Sequence, residues 1–181
     1  MAKPKYTKAQ FDREYPDDGA CLDAIMEMRY GGTAIKCPAC QKDAKFHRIS
    51  KRRAYACQWC GEHIYPCVGT VFEKSRTPLT KWFYAMYLFT ASRHGVPARE
   101  LERQLGVTYK CAWRMAHELR KLMAAADFKG PMGGGGKHVE VDETLIGGRN
   151  KGMGGRGVRA GKTVVLGLVE RDGNVRAGVI P

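Results

Sequence analysis

Cys37-Pro-Ala-Cys40 and Cys57-Gln-Trp-Cys60 are two CxxC pairs with sixteen residues between them. Zinc takes four ligands in a tetrahedron, about 2.3 Å from each sulfur, and one CxxC turn brings two sulfurs to one metal. Two such turns fill every position and leave none open for reaction. The spacing therefore predicts a structural zinc ribbon over residues 33–73. A module of about 40 residues with few large apolar side chains needs such a site, which is worth roughly 10–16 kcal/mol of apparent free energy. Cys21, Cys67 and Cys111 lack this pairing and are expected as packed thiols. His47 and His63 lie near the pairs and are the alternative ligands.

Charge rises where the cysteines begin. Residues 1–36 carry six basic and six acidic side chains, whereas 37–130 carry seventeen and seven. The whole chain is 181 residues long with a formal charge of +13, a balance that favours a polyanionic partner. Between the knuckles, Lys45-Phe46-His47-Arg48, Lys51-Arg52-Arg53 and Tyr55 form a basic hairpin with interleaved aromatics. It reads as a clamp on a phosphate backbone or as a solvated charged turn, with Lys51, Arg52 and Arg53 the candidate contacts.

Outward from the ribbon the periodicity is helical. Residues 7–30 place Leu22, Ile25, Met26 and Arg29 on one face, and Gly31-Gly32 stops them, giving an N-terminal helical segment over 1–32. Thr77-Pro78 reads as a cap followed by proline at the first helical position, and Gly95 as the end of that helix. Val96–Leu105, Gly106-Val107 and Thr108–Leu122 then have the lengths of a helix-turn-helix, within a DNA-binding region over 77–126. Ala112, Met115, Leu119 and Leu122 share one face of the last helix. Lys110, Arg114, His117 and Lys121 share another, and with Tyr109 they are the candidate DNA contacts. An ordinary antiparallel helix pair is the competing reading. Trp82, Phe83 and Trp113 are expected in the core.

A glycine-rich linker over 127–137 separates this region from a change of period. His138–Thr144, Lys162–Arg171 and Val175–Pro181 alternate as strands, with Asp172-Gly173 as a turn between the last two. Glu140, Asp142 and Thr144 fall on one face of the first strand; from the residues alone Asp142-Glu143 is an ordinary solvated acidic pair. Gly161-Lys162-Thr163 hints at a phosphate-binding loop, but Arg156 stands at its first glycine position and a strand follows, which excludes nucleotide binding.

Cys57-Gln-Trp-Cys-Gly-Glu-His-Ile-Tyr65 with Val68-Gly-Thr-Val-Phe-Glu73, Pro78-Leu-Thr-Lys-Trp82 through Leu105-Gly-Val107, and Val139-Glu-Val-Asp-Glu-Thr-Leu-Ile-Gly-Gly148 occur in this order. Together they resemble bacterial insertion-sequence DDE transposases with an N-terminal zinc ribbon. The resemblance implies a multi-module α+β chain: helices, zinc ribbon, helix-turn-helix, then the first three strands of a ribonuclease H-like catalytic domain over 138–181. It implies double-stranded DNA at the element's terminal repeats as partner. Asp142 would be the first acidic ligand for catalytic Mg2+ or Mn2+, and hence the catalytic residue.

Two-metal phosphoryl transfer needs several carboxylates around the scissile phosphate. The chain stops at Pro181 after the third strand, so the expectation is an incomplete domain, inactive alone, whose three strands are poorly stable. A non-catalytic DNA-binding regulator, or a zinc-stabilised interaction module, are the alternatives. A homodimer stays open. No apolar run approaches the ~20 residues that span a bilayer and the start lacks a secretory pattern, so a bacterial cytoplasmic, nucleoid-associated protein is expected.

Overall fold

The computed structural model describes residues 6–92, 94–125, 130–148, 162–171 and 173–180. Residues 149–161, which include Arg156 and Gly161 of the phosphate-loop-like stretch, lie outside the described residues, as do 126–129 and Asp172. The chain divides into two compact units, one ending at Leu122 and the other beginning at Met123.

The first unit opens with α1 (Lys8–Glu14), where Thr7 and Gln10 form a reciprocal capping box. Asp17 caps α2 (Asp18–Tyr30) by accepting from the Ala20 backbone N–H at 2.8 Å. Gly31 ends it at φ 73°, a left-handed turn that glycine adopts without penalty. Four short strands follow as an antiparallel meander in chain order: β1 (Ala34–Lys36), β2 (Asp43–Arg48), β3 (Tyr55–Cys57) and β4 (His63–Ile64). Ala44 and Phe46 point inward from β2 while Lys45 and His47 face out, the two-residue alternation of a half-buried strand.

Three helices complete the unit: α3 (Leu79–Ala91), α4 (Ala98–Leu105) and α5 (Tyr109–Ala125). The expected cap of α3 is replaced by a distant one. Pro78 sits at the cap position without a side-chain bond, and Asp18 reaches across to accept from the Thr80 N–H at 2.9 Å and its hydroxyl at 3.0 Å. A carboxylate there meets the positive end of the helix dipole. The helix ends at Ala91, short of Gly95. Gly106, at φ 58°, ends α4 as the sequence predicts.

One core runs from Phe11 through Ile25, Phe46, Tyr55, Trp82 and Leu101 to Met115 and Leu119. The N-terminal helices, the ribbon and the three-helix region thus bury their apolar faces together, where the sequence suggested separate modules. Polar struts reinforce this. Arg29 donates to the Pro66 and Val68 carbonyls at 2.6 and 2.5 Å, and Asp23 pairs with Arg48 at 3.2 Å and accepts from the Tyr55 hydroxyl.

The second unit holds an antiparallel sheet in the order β5 (Val139–Ile146), β6 (Thr163–Glu170), β7 (Val175–Ile180). The strands fall where the alternation places them. Val141, Ile146, Val175 and Val179 are each more than half exposed. Glu170 is the exception: it is buried, pairs with Lys137 at 2.9 Å and accepts from the Gly133 N–H, and the lysine holds its carboxyl below the usual range. No described helix is long and apolar enough to cross a membrane.

Candidate metal centre and nucleic-acid interface

Both CxxC pairs sit in the same backbone turn. The N–H of Cys37 bonds the Lys42 carbonyl and that of Gln41 bonds the Cys37 carbonyl, at 2.9 and 3.0 Å. Cys57, Glu62 and Gly61 repeat this at 2.8 and 3.0 Å. The residue after the second cysteine must turn left-handed in each, and Gln41 and Gly61 do so at φ 59° and 72°. Each turn lies beside a strand of the meander, so the two meet face to face.

The four sulfurs lie within 4.8 Å of one another, with Cys37–Cys60 at 3.6 Å and Cys40–Cys57 at 3.9 Å. Four sulfurs about 2.3 Å from one tetrahedral zinc stand about 3.8 Å apart, so the cluster fits the ion. A disulfide would need about 2.05 Å. Desolvation opposes ionisation of Cys57, but the backbone N–H groups of Cys60 and Trp59 bring its thiol down to about 7. The backbone at Glu62 favours the Cys60 thiolate; desolvation and the three neighbouring thiols override it and raise Cys60 to about 12. A divalent cation relieves that crowding. His47 and His63 stay outside the cluster and both are exposed. Cys21 and Cys67 are buried, as expected, and desolvation pushes the Cys21 thiol up to about 12; Cys111 is half-buried against Thr77.

The proposed DNA contacts divide by where their side chains go. Lys51 and Arg52 are exposed on the turn between β2 and β3. Arg53 is turned inward, donating to the carbonyls of Ser75 and Thr77 at 2.9 and 2.8 Å and lying 3.6 Å from Asp18. Phe46 and Tyr55, the aromatics interleaved with these cations, are buried and form no stacking surface.

On α5 the buried side is Ala112, Met115, Ala116 and Leu119. Tyr109, Lys110, Arg114, His117 and Lys121 lie outside it, and Lys121 pairs with Glu118 at 3.0 Å. Arg114 leans back to Ser75, 3.3 Å from its hydroxyl, and over the Trp82 ring. Ser75 accepts from Trp82 Nε1 at 3.0 Å as well, so one buried serine joins the ribbon turn, through Arg53, to α3 and α5.

The structure corrects two core assignments, the first being Leu122 at the end of the expected apolar face, which is 46% exposed. Trp82 and Phe83 are buried, but Trp113 is 52% exposed and stacks on His117, ring centroids 5.1 Å apart and planes 9° from parallel. The signal was in the spacing: Trp113 is one residue on from Ala112 and four from both Tyr109 and His117, which turns it away from the apolar stripe.

In the second unit, Asp142 faces Gly167 across β5–β6, and Gly167 faces Ala177 across β6–β7. The carboxylate stands at the end of a row of small residues and accepts from the Glu143 N–H at 2.8 Å. Glu140, on the same face, is held by Arg171 at 2.6 Å. Among the described residues this face supplies too few carboxylates for a two-metal centre.

Residues 16–63 match the transposase zinc-ribbon domain. The match takes in all of α2 and the meander as far as His63 in β4, the helix and strands that Asp23 ties together through Arg48 and Tyr55. Over 116 residues, 62% of this chain, the sequence is 31% identical to an uncharacterized protein in the transposable element ISH50 of Halobacterium salinarum. The chain spans 36% of that relative's length. No solved structure matches.

Proposed function

We propose that this chain is the DNA-recognising part of an insertion-sequence transposase, in which a zinc-held ribbon and a helix-turn-helix grip double-stranded DNA at the element's terminal repeats. The observation that carries the reading is the four-cysteine cluster inside a segment that matches the transposase zinc ribbon. The zinc is structural: Cys37, Cys40, Cys57 and Cys60 hold it, and it fixes the turn bearing Lys51 and Arg52. Helices α4 and α5 form the helix-turn-helix, with α5 entering the major groove. Tyr109, Lys110, His117 and Lys121 line its outward side, and Arg114 sets the angle of α5 against the ribbon turn.

In this reading β5–β7 begin a ribonuclease H-like domain and Asp142 is the first acidic ligand for Mg2+ or Mn2+. Two-metal strand cleavage requires further carboxylates than these strands carry.

Titrating fluorescent duplex DNA with the zinc-loaded chain at rising salt tests this. Each neutralised phosphate contributes a slope of about −0.9 in log affinity against log salt, so Lys110→Ala should flatten the slope by about one. Absence of binding at low ionic strength would sink the proposal. DNA cleavage that Asp142→Asn abolishes would show the carboxylate set to be sufficient and overturn the second half of it.

A further inference from the structure

Sequence readers on a groove-lying helix are chiefly arginine, lysine, asparagine and glutamine, which hydrogen-bond purine edges. On α4 and α5 the described arginines and the glutamine are engaged elsewhere. Arg99 pairs with Glu102 at 2.9 Å and lies over the Tyr109 ring, and Arg103 and Gln104 both bond Glu100. Arg114 is held by Ser75 and Trp82, and Arg120 donates to the Val96 carbonyl at 3.1 Å beside Phe89. What α5 offers a groove is therefore Lys110, Trp113 and His117, and the large group among them is apolar.

Trp113 is unusual for an exposed tryptophan in being fixed. Its neighbour one turn on, His117, covers one face of the indole in a near-parallel stack. A ring so covered is a poor wedge for insertion between bases, which needs both faces. Its outer face and edge remain in water, on the side of the helix opposite Met115 and Leu119. Lys110 and Lys121 flank it, so the partner that covers it is an anion with an apolar feature. In the major groove the 5-methyl of thymine is the apolar group that the base edges present.

We propose that Trp113, held flat by His117, reads thymine 5-methyl groups in the major groove. This rests on α5 being the helix that enters DNA. Trp113 makes the contact and His117 acts as a positioning residue.

Duplexes selected by the zinc-loaded chain from a random-sequence pool provide the probe, each resynthesised with deoxyuridine in place of thymidine, which removes the methyl alone. Selected duplexes should carry thymine at fixed positions. Deoxyuridine at such a position should weaken binding about fourfold, the factor that follows from withdrawing one buried methyl. In Trp113→Ala the discrimination should vanish while the salt slope stays, because no phosphate contact is lost. His117→Ala should reduce it part-way, with the slope again unchanged. Unchanged helicity by circular dichroism separates these effects from misfolding. Equal affinity of the wild-type chain for thymidine and deoxyuridine duplexes would overturn the proposal, as would equal discrimination by wild type and Trp113→Ala. Absence of DNA binding altogether would instead overturn the transposase reading on which it rests.

Discussion

Residues 6–122 and the sheet of β5–β7 are made from similar alternating and helical apolar patterns, yet they solve the burial problem differently. In the first unit the modules share their cover: Phe46 and Tyr55 of the ribbon, Ile25 of α2, Trp82 of α3 and Met115 of α5 meet in one core. In the second, valines at 141, 169, 175 and 179 are exposed on three neighbouring strands. Apolar side chains left in water recover little of the hydrophobic free energy that offsets chain ordering. The contrast teaches that a period-2 pattern specifies a strand's faces but not what covers them. The first unit has its cover within its own sequence, partly through a metal site.

The largest break in this comparison should come from the metal. Removing zinc with a chelator, or making Cys40→Ser, withdraws a binding free energy on the order of 10 kcal/mol, comparable to a small domain's entire stability. Hydrogen exchange resolved along the chain is the measurement. Amides of β2, β3 and α3–α5 should lose protection together, because Ser75, Arg53 and Asp18 link the ribbon to the helices, while those of β5–β7 should not change. Zinc analysis should return one ion per folded chain. A fully folded chain without metal would remove the basis for the contrast.

Much of the first unit is legible in the sequence, for reasons that differ by residue. The CxxC spacing is covalent geometry and needs no tertiary knowledge, so the zinc ligands follow directly. Gly31 and Gly106 end their helices where expected because left-handed backbone is cheap for glycine alone. The cap of α3 is illegible locally because Asp18 lies sixty-two residues before Thr80, and a local reading assigns the task to Thr77. Arg53 and Arg114 read as free cations for the same reason, since their acceptors on Ser75 and Thr77 become neighbours only after folding. Residue type alone argues for a buried Trp113, whereas its helical angle places it outside. The three strands were legible and their cover was not.

A smaller effect sharpens the account of how the first unit is joined. Burial opposes ionisation of Asp18, but the Thr80 and Leu79 N–H groups, the Thr80 hydroxyl and Arg53 hold its carboxyl below the usual range. The folded pKa is thus depressed relative to an unfolded value near 3.9. Its stabilisation is fully present above that value and lost as pH falls through the folded one. Asp18→Asn keeps the shape and loses the charge at the α3 terminus, a change worth about 1 kcal/mol or less. Thermal melts should show the variant less stable at neutral pH and indistinguishable from wild type in strong acid. A gap that persists in acid would assign the effect to shape rather than charge.

The smallest expected effect tests the exposed side of the comparison. Val179 is 69% exposed on β7, opposite Val165. Threonine keeps the branched shape and strand preference, so Val179→Thr on a water-facing surface should change stability by less than about 0.5 kcal/mol. It should also leave the sedimentation behaviour as it was. If this face is covered in solution by a second copy of the chain, the same substitution buries a hydroxyl with no partner and costs about 1–3 kcal/mol. The melting temperature would then depend on protein concentration as well, since dissociation accompanies unfolding. A near-neutral result with concentration-independent melting keeps β5–β7 as an open sheet, and a large concentration-dependent loss would make the sheet the dimer interface.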